Sequence, residues 1–469
     1  MIRFGVLSFL FAAIFGCAFG HAAEPVEEAF VRVSPRDHRY FELTNGKPYV
    51  PIGLNMIAPP GNDLEGMAEW MRKLSNNGGN YIRVWLGHPY FDVEHVRSGH
   101  YDPRKAKRIE RMLDLAEQHG IRVKMCIESF RHFGTRDQKW SEKSLHLKEN
   151  GGPAENIAGF FDGKESRKQF KQKLAWLSDR FGDDPTVFGW ELWNEINAVA
   201  GGDYMTWTQI MLAELQRQFP RNLCMQSLGS FDSKWPVDQY RRLSGMESND
   251  VAQVHRYLDL GARLEVCRGP VADLAIDAVR TIQSYNPKRP ILLAESGAVE
   301  PRHTGPFTLY DEDEAGIILH DVVFAPFFAG AAGPGHIWHW GRYVDKMGLW
   351  HHFARFADAV RGIDPPAEKF EYLEIPHERL RILVLQGNRH ILAWCRDRQN
   401  TWRTELKEGK EPEDITGVRV DLADHVKSLD GMHVRTYDPW KDRWQKATPD
   451  GSAVPLPTFS RSIVVRIER

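Results

Sequence analysis

Between residues 49 and 360 the chain repeats one unit, a short apolar strand, a loop and an amphipathic helix, and this repetition limits the folds open to it. Strands are expected at 49–55, 81–85, 122–127, 186–192, 223–228, 251–254, 290–294 and 336–340. Helical periodicity marks 64–74, 103–118, 164–181, 204–219, 271–284, 312–328 and 349–360, while the helix after the fifth strand is poorly marked. A run of strands alternating with helices predicts an α/β fold, a (β/α)8 TIM barrel, which takes roughly 200 to more than 400 residues. A doubly wound open sheet is the rival, but it needs a glycine-rich first turn that Gly53-Leu54-Asn55 does not supply.

The barrel is expected over 31–363, opening with a small hairpin across 31–47 that turns at Thr44-Asn45-Gly46-Lys47. Past Ile363-Asp364-Pro365-Pro366 the helical period vanishes, and short strand-like runs at 381–385, 391–394, 418–420 and 463–467 predict a β-sandwich accessory domain over 366–469. The charged stretch 405–414 reads as a solvated loop.

Residues 1–23 read as a secretory signal: Arg3, an apolar run over 4–15 too short to span a bilayer, then small residues. The expected location is therefore secreted or periplasmic. Ile14-Phe15-Gly16-Cys17 loosely resembles a lipoprotein box, with Phe15 fitting poorly, so a lipid anchor on Cys17 is the lesser alternative. No transmembrane segment is expected elsewhere. A net charge of −2 gives no electrostatic case for nucleic acid. Cys126, Cys224, Cys267 and Cys395 are too few for a disulfide framework in a chain this long, and Cys126 and Cys224 read as buried thiols. The 15 tryptophans lean towards carbohydrate, since the indole face stacks on the apolar side of a sugar ring, but they also serve as core.

Chemistry is concentrated in two strand ends. Trp190-Glu191-Leu192-Trp193-Asn194-Glu195 closes the fourth strand, and Ile291-Leu292-Leu293-Ala294-Glu295 closes the seventh. Strand alternation would put Glu191, Trp193 and Glu195 on one face and Leu192 and Asn194 on the other, with the tip less regular. A lone Glu at such a place is as readily an ion-paired cap, but a barrel opens all its strand ends on one face, so Glu195 and Glu295 are expected to oppose each other there. Two opposed carboxylates between aromatic walls are what glycosidic cleavage requires, one giving a proton and the other acting as nucleophile or base.

In this set the sequence resembles the clan A glycoside hydrolases, most closely the pattern of glycoside hydrolase family 5, over about residues 49–361. The resemblance implies that Asn194-Glu195 supplies the acid/base and that Glu295, in Ala294-Glu295-Ser296-Gly297, is the nucleophile. It implies substrate-site roles for Arg83 on strand two, for His255 and Tyr257 in the His-x-Tyr of strand six, and for Trp338 or Trp340 as the floor of the sugar site. Arg83 and Tyr257 would hold Glu295 charged and aimed. The second carboxylate and apolar walls would favour the proton on Glu195, and Asn194 would bind the sugar 2-hydroxyl. A retaining mechanism follows, with carboxyl groups roughly 5–5.5 Å apart.

Blander readings stand beside these. Arg83 could be an interior ion-pair partner and His255 a satisfied core histidine. Trp338 and Trp340, taken as alternating with His339 on a strand, would share a face and could be packing. Glu191 reads as structural, and Glu128 and His132 as cleft-lining, with the long loop 130–161 shaping the cleft. The expected activity is a secreted glycosidase acting on a β-linked oligo- or polysaccharide, needing no metal or organic cofactor. The alternative is a carbohydrate-binding protein without catalysis, in which the sandwich holds the glycan.

Overall fold

The computed structural model describes residues 24–129, 144–199 and 201–469. The signal segment, Cys17, His132 and part of the long loop fall outside the described residues. Among the described residues no helix is long and apolar enough to cross a membrane.

The barrel strands are Gly53–Asn55, Tyr81–Trp85, Arg122–Ser129, Val187–Asn194, Leu223–Met225, Ala252–His255 and Ile291–Glu295. The first five form one continuous parallel sheet, and the sixth and seventh pair in parallel. The Asp250 N–H donates to the Cys224 carbonyl at 2.8 Å and joins the fifth strand to the sixth. Ile337 bridges in parallel to both Leu54 and Ser296, closing the ring.

Three expected strands are trimmed. The fifth, expected over 223–228, ends at Met225. The first is expected from residue 49, but Pro48–Tyr49 belongs to a three-stranded antiparallel sheet with Val31–Val33 and Phe41–Leu43. That sheet plugs the barrel's lower end, where the Phe41 and Tyr81 rings meet Phe188 edge-on at 5.3 and 5.1 Å. The eighth strand does not run to Trp340: its regular bonding ends at Trp338, and a wide helical turn, Trp340–Asp345, begins at once.

The outer helices follow their sequence signals closely. Pro103–Gln118 starts at a proline, its N-cap Asp102 side chain accepts the Arg104 N–H, and Gly120 beyond its end takes φ +66°. Val237–Ser244 fills the poorly marked place after the fifth strand. Ile317–Phe328 is buried on every side, and an all-round apolar helix needs cover on both flanks.

That cover is the C-terminal domain. Its six-stranded antiparallel sheet runs in the order Glu371–Ile375, Leu380–Gln386, His390–Asp397, Ser462–Glu468, His433–Asp438, Arg443–Lys446. Alternation divides its two faces. Leu383, Leu385, Leu392, Trp394 and Val464 join the barrel's core, while Ile382, Val384, Ile391, Ala393 and Val465 pack under the small pair Arg419–Asp421 and Ala453–Pro455. Arg396 forks onto Asp321 at 2.7 and 3.2 Å across the barrel face. The charged stretch 405–414 is not wholly solvated, because Glu405 is ion-paired with Arg461 and accepts from Asn400 at 2.6 Å. All four cysteines from Cys126 to Cys395 are free and buried.

Candidate active site

The strand tips place Glu195 and Glu295 at one mouth. Glu195 ends the fourth strand in a left-handed conformation, φ 51° and ψ 50°, which costs a non-glycine residue of order 1–3 kcal/mol. The twist takes Glu195 out of the ladder, where its N–H donates to Ser227 Oγ at 3.1 Å and its side chain stays 17% exposed. Glu295 sits at a register shift between strands six and seven, and its side chain is only 4% exposed. One oxygen of each carboxylate and a ring nitrogen of His255 lie within 4.8 Å of one another. His255 Nδ1 is 2.9 Å from Glu195 Oε1 and 3.6 Å from Glu295 Oε2.

Arg83 organises the floor. Its Nε and Nη2 donate to the two oxygens of Glu191, each at 2.8 Å, its Nη1 donates to Glu295, and Nη2 also donates to Asn194 Oδ1 at 2.7 Å. The Tyr257 hydroxyl donates to Glu295 Oε2 at 2.8 Å. Burial alone would raise the Glu295 carboxyl, but His255, Arg83 and the Tyr257 hydroxyl outweigh it and hold it below its usual range. Burial and the Glu295 charge push Tyr257 well above its ordinary range, so it stays a donor. Burial opposes the Glu191 charge too, yet Arg83 and Lys124 bring Glu191 down to about 2. Lys124, 3.2 Å from Glu191, is lowered by burial to about 8.

The structure thus gathers Arg83, Asn194, Glu195, His255, Tyr257 and Glu295, and it corrects their aromatic surroundings. Trp193 does not share a face with Glu191. It packs outward, with Phe160 at 5.7 Å and Trp207 at 5.9 Å, because the two-residue alternation slips at the strand tip. The aromatic wall is Trp85, with Trp338 at 5.1 Å, beside Ile57, Ala58 and Cys126. Trp338 and Trp340 do not project side by side. Their rings are nearly perpendicular, 87° at 5.7 Å, and Trp340 turns towards Trp70 on the first barrel helix, 6.4 Å away. Glu128 does not line the cleft: it is buried and ion-paired with Lys173 of the helix Lys164–Phe181.

Three residues escape sequence reasoning. Asn55, at the tip of strand one, donates to the carbonyls of Ala294 and His336 at 3.1 and 3.2 Å and accepts from Arg83 at 3.3 Å. Lys124 lies inside an apolar strand as partner to Glu191, and Ser227 receives the Glu195 N–H. The available signal was polarity within an apolar run, since a buried charge persists only when paired.

Besides the Glu195, His255 and Glu295 set, two groups of described residues bring three potential ligand atoms together: Glu94 with Glu128 and His146, and Asp232 with Asp259 and His303. The first already encloses a cation, because the Lys173 ammonium contacts both carboxylates.

A ring of parallel strands with paired acids at its open end defines a class of barrel hydrolase, and the comparisons narrow it. The model of the cellulase family, glycosyl hydrolase family 5, matches residues 44–298, just over half of the chain. The chain belongs to glycosyl hydrolase family 5. It is 24% identical over 278 residues to mannan endo-1,4-beta-mannosidase 2 of Oryza sativa subsp. japonica, which is 51% of this chain and 61% of that protein. Among solved structures, one titled a glycoside hydrolase superposes with a TM-score of 0.61 at 12% identity, covering 95% of this chain and 98% of that one. A glycoside hydrolase family 5 protein from Bacteroides vulgatus ATCC 8482 gives 0.56 at 14% identity, covering 95% of both chains. Both likenesses extend over the C-terminal domain and are likenesses of fold.

Proposed function

We propose that the protein is an exported glycoside hydrolase that cleaves β-linked glycans with retention of configuration. The observation that carries this reading is the short gap between the Glu195 and Glu295 oxygens, within 4.8 Å. A nucleophile and a proton donor must both reach one sugar ring, and two carboxylates whose nearest oxygens approach this closely over one mouth can do so. Export rests on the character of residues 1–23. The name of the rice relative makes β-1,4-mannan the first substrate to test.

In this reading Glu295, ionised and aimed by Arg83 and Tyr257, attacks the anomeric carbon as the bond to the leaving oxygen breaks. Glu195, the more exposed of the pair, gives its proton to that oxygen. Glu195 then takes a proton from water, and the water oxygen displaces Glu295 from the anomeric carbon. Asn194 has its amide oxygen held by Arg83, which leaves its NH2 end for the sugar 2-hydroxyl. The Trp85 and Trp338 wall gives the ring an apolar face.

The test is hydrolysis of a panel of aryl β-glycosides and β-linked oligosaccharides. Activity on at least one member, lost in Glu295→Gln and in Glu195→Gln, is expected. No activity on any member, or full activity in either variant, overturns the reading.

A further inference from the structure

The segment just past the fifth strand holds the turn at the tip of the fourth. Glu195 takes a left-handed backbone, and the Ala198 N–H donates back to its carbonyl at 2.8 Å, so the chain turns sharply at the acid itself. A conformation of this cost persists only where its surroundings over-determine it. Two contacts do so here, one on each side of the turn. The Glu195 N–H donates to Ser227 Oγ at 3.1 Å, and the Gly229 N–H donates to Asn197 Oδ1 at 2.6 Å. A β-carbon placed on Gly229 would lie 3.2 Å from that amide oxygen and 3.8 Å from the Glu195 carboxyl carbon, so the two tips leave little room between them.

Ser227 is fully buried, and its hydroxyl has one proton to give. Two acceptors face it. The Trp193 carbonyl, at 3.4 Å, already accepts from Gln226 Nε2. The other is the Glu191 carboxylate, which Arg83, Lys124 and this hydroxyl together hold charged against the cost of burial. A charged acceptor is the stronger of the two. A hydroxyl that gives its proton to a charge is in turn a better acceptor for the Glu195 N–H. The turn at Glu195 is thereby tied to the same Arg83 and Glu191 pair that aims Glu295.

We infer that Ser227 is a positioning residue for the proton donor. Its hydroxyl bridges the Glu195 N–H and the Glu191 carboxylate and so aims the Glu195 carboxyl at the leaving oxygen, with Asn197 and Gly229 as the second point of the clamp. The role of the proton rests on the hydrolase reading, whereas the clamp concerns the Glu195 backbone alone.

The test compares kcat/KM of the unsubstituted and Ser227→Ala proteins on aryl β-glycosides of one sugar that differ only in leaving group. Phenol leaves poorly and needs the proton from Glu195, while dinitrophenol leaves without it. Loss of aim is expected to lower kcat/KM about tenfold to a hundredfold on the phenyl glycoside and less than about threefold on the dinitrophenyl one. Asn197→Ala opens the other point of the clamp and reads the same effect should Ser227→Ala not fold. Equal losses on both substrates, or none on either, overturn the proposal. Position is read without turnover, in crystal structures of the unsubstituted protein and the variant. The Glu195 carboxyl is expected to shift by about 1 Å or more relative to His255 Nδ1, and an unmoved carboxyl overturns the proposal. A shifted Glu195 in a protein that hydrolyses no glycoside keeps the clamp and removes the hydrolase reading; hydrolysis with an unmoved Glu195 does the reverse.

Discussion

Arg83 and Glu191 meet as a two-pronged pair inside the barrel, both donor contacts at 2.8 Å and both side chains fully buried. The pair fixes the plane of the guanidinium, and its remaining nitrogen thereby reaches Glu295. Removing one member leaves the other buried without its partner, which costs about 3–5 kcal/mol. Glu191→Ala is therefore expected to lose about that much stability in urea unfolding and to lower kcat at least tenfold. An unchanged midpoint would contradict the pairing.

The same pair sets an acid limit on stability. The Glu191 carboxyl is lowered from 4.5 to about 2 in the folded chain. Its contribution is therefore complete above pH 4.5 and is lost as the pH falls towards 2, because the unfolded chain takes up the proton first. The span amounts to about 3 kcal/mol. Lys124 works in the opposite sense: lowered to about 8, it costs stability below that pH, and the cost is relieved as the pH rises from 8 towards 10.5. Urea unfolding of Lys124→Met should show less gain between pH 8 and 10 than the parent protein.

Tyr257 supplies one of the forces that keep the Glu295 carboxyl low. Tyr257→Phe removes that donor, so the carboxyl rises and the acid limb of kcat/KM moves to higher pH. A rate loss of about tenfold to a hundredfold accompanies it, the size of a lost charge-assisted hydrogen bond. An unmoved acid limb would show that Tyr257 does not act through Glu295.

The C-terminal domain behaves in this structure as a buttress. Trp394 lies against Phe324 and Phe328 at 6.3 and 6.2 Å, and the Trp444 indole donates to Asp358 at 2.7 Å. Truncation after Pro366 would bare the helix Ile317–Phe328, buried on every side in the whole chain. The truncated barrel is expected to be insoluble or to unfold at least 10 °C lower, far beyond the roughly 2–4 °C that 1 kcal/mol gives a domain of this size. A stable, active truncated barrel would recast the domain as an appended glycan-binding module.

Most of the fold was legible because strand and helix periods differ and because Asp102, Pro103 and Gly120 punctuate the chain. The meeting of Glu195 and Glu295 was legible for a related reason: each closes a strand, and a parallel barrel turns those ends one way. Arg83, Asn194, His255 and Tyr257 were placed beside them by the resemblance to the clan A glycoside hydrolases. Orientation at the tips was not. Trp193 and Trp340 leave the pleat where local bonding changes, which a two-residue period cannot foresee. Glu128 finds its lysine 45 residues away on a helix, and no local pattern marks such a pair. Nor did the tryptophan content locate the sugar face, since most indoles are spent in packing.

The central claim is that Glu195 and Glu295 act on one sugar ring by two displacements. It is tested most directly by proton NMR of the new reducing end formed from a β-linked oligosaccharide, the sugar that water would release from Glu295, followed before its anomers equilibrate. The β-anomer appearing first is the predicted result; the α-anomer appearing first would contradict a glycosyl intermediate on Glu295.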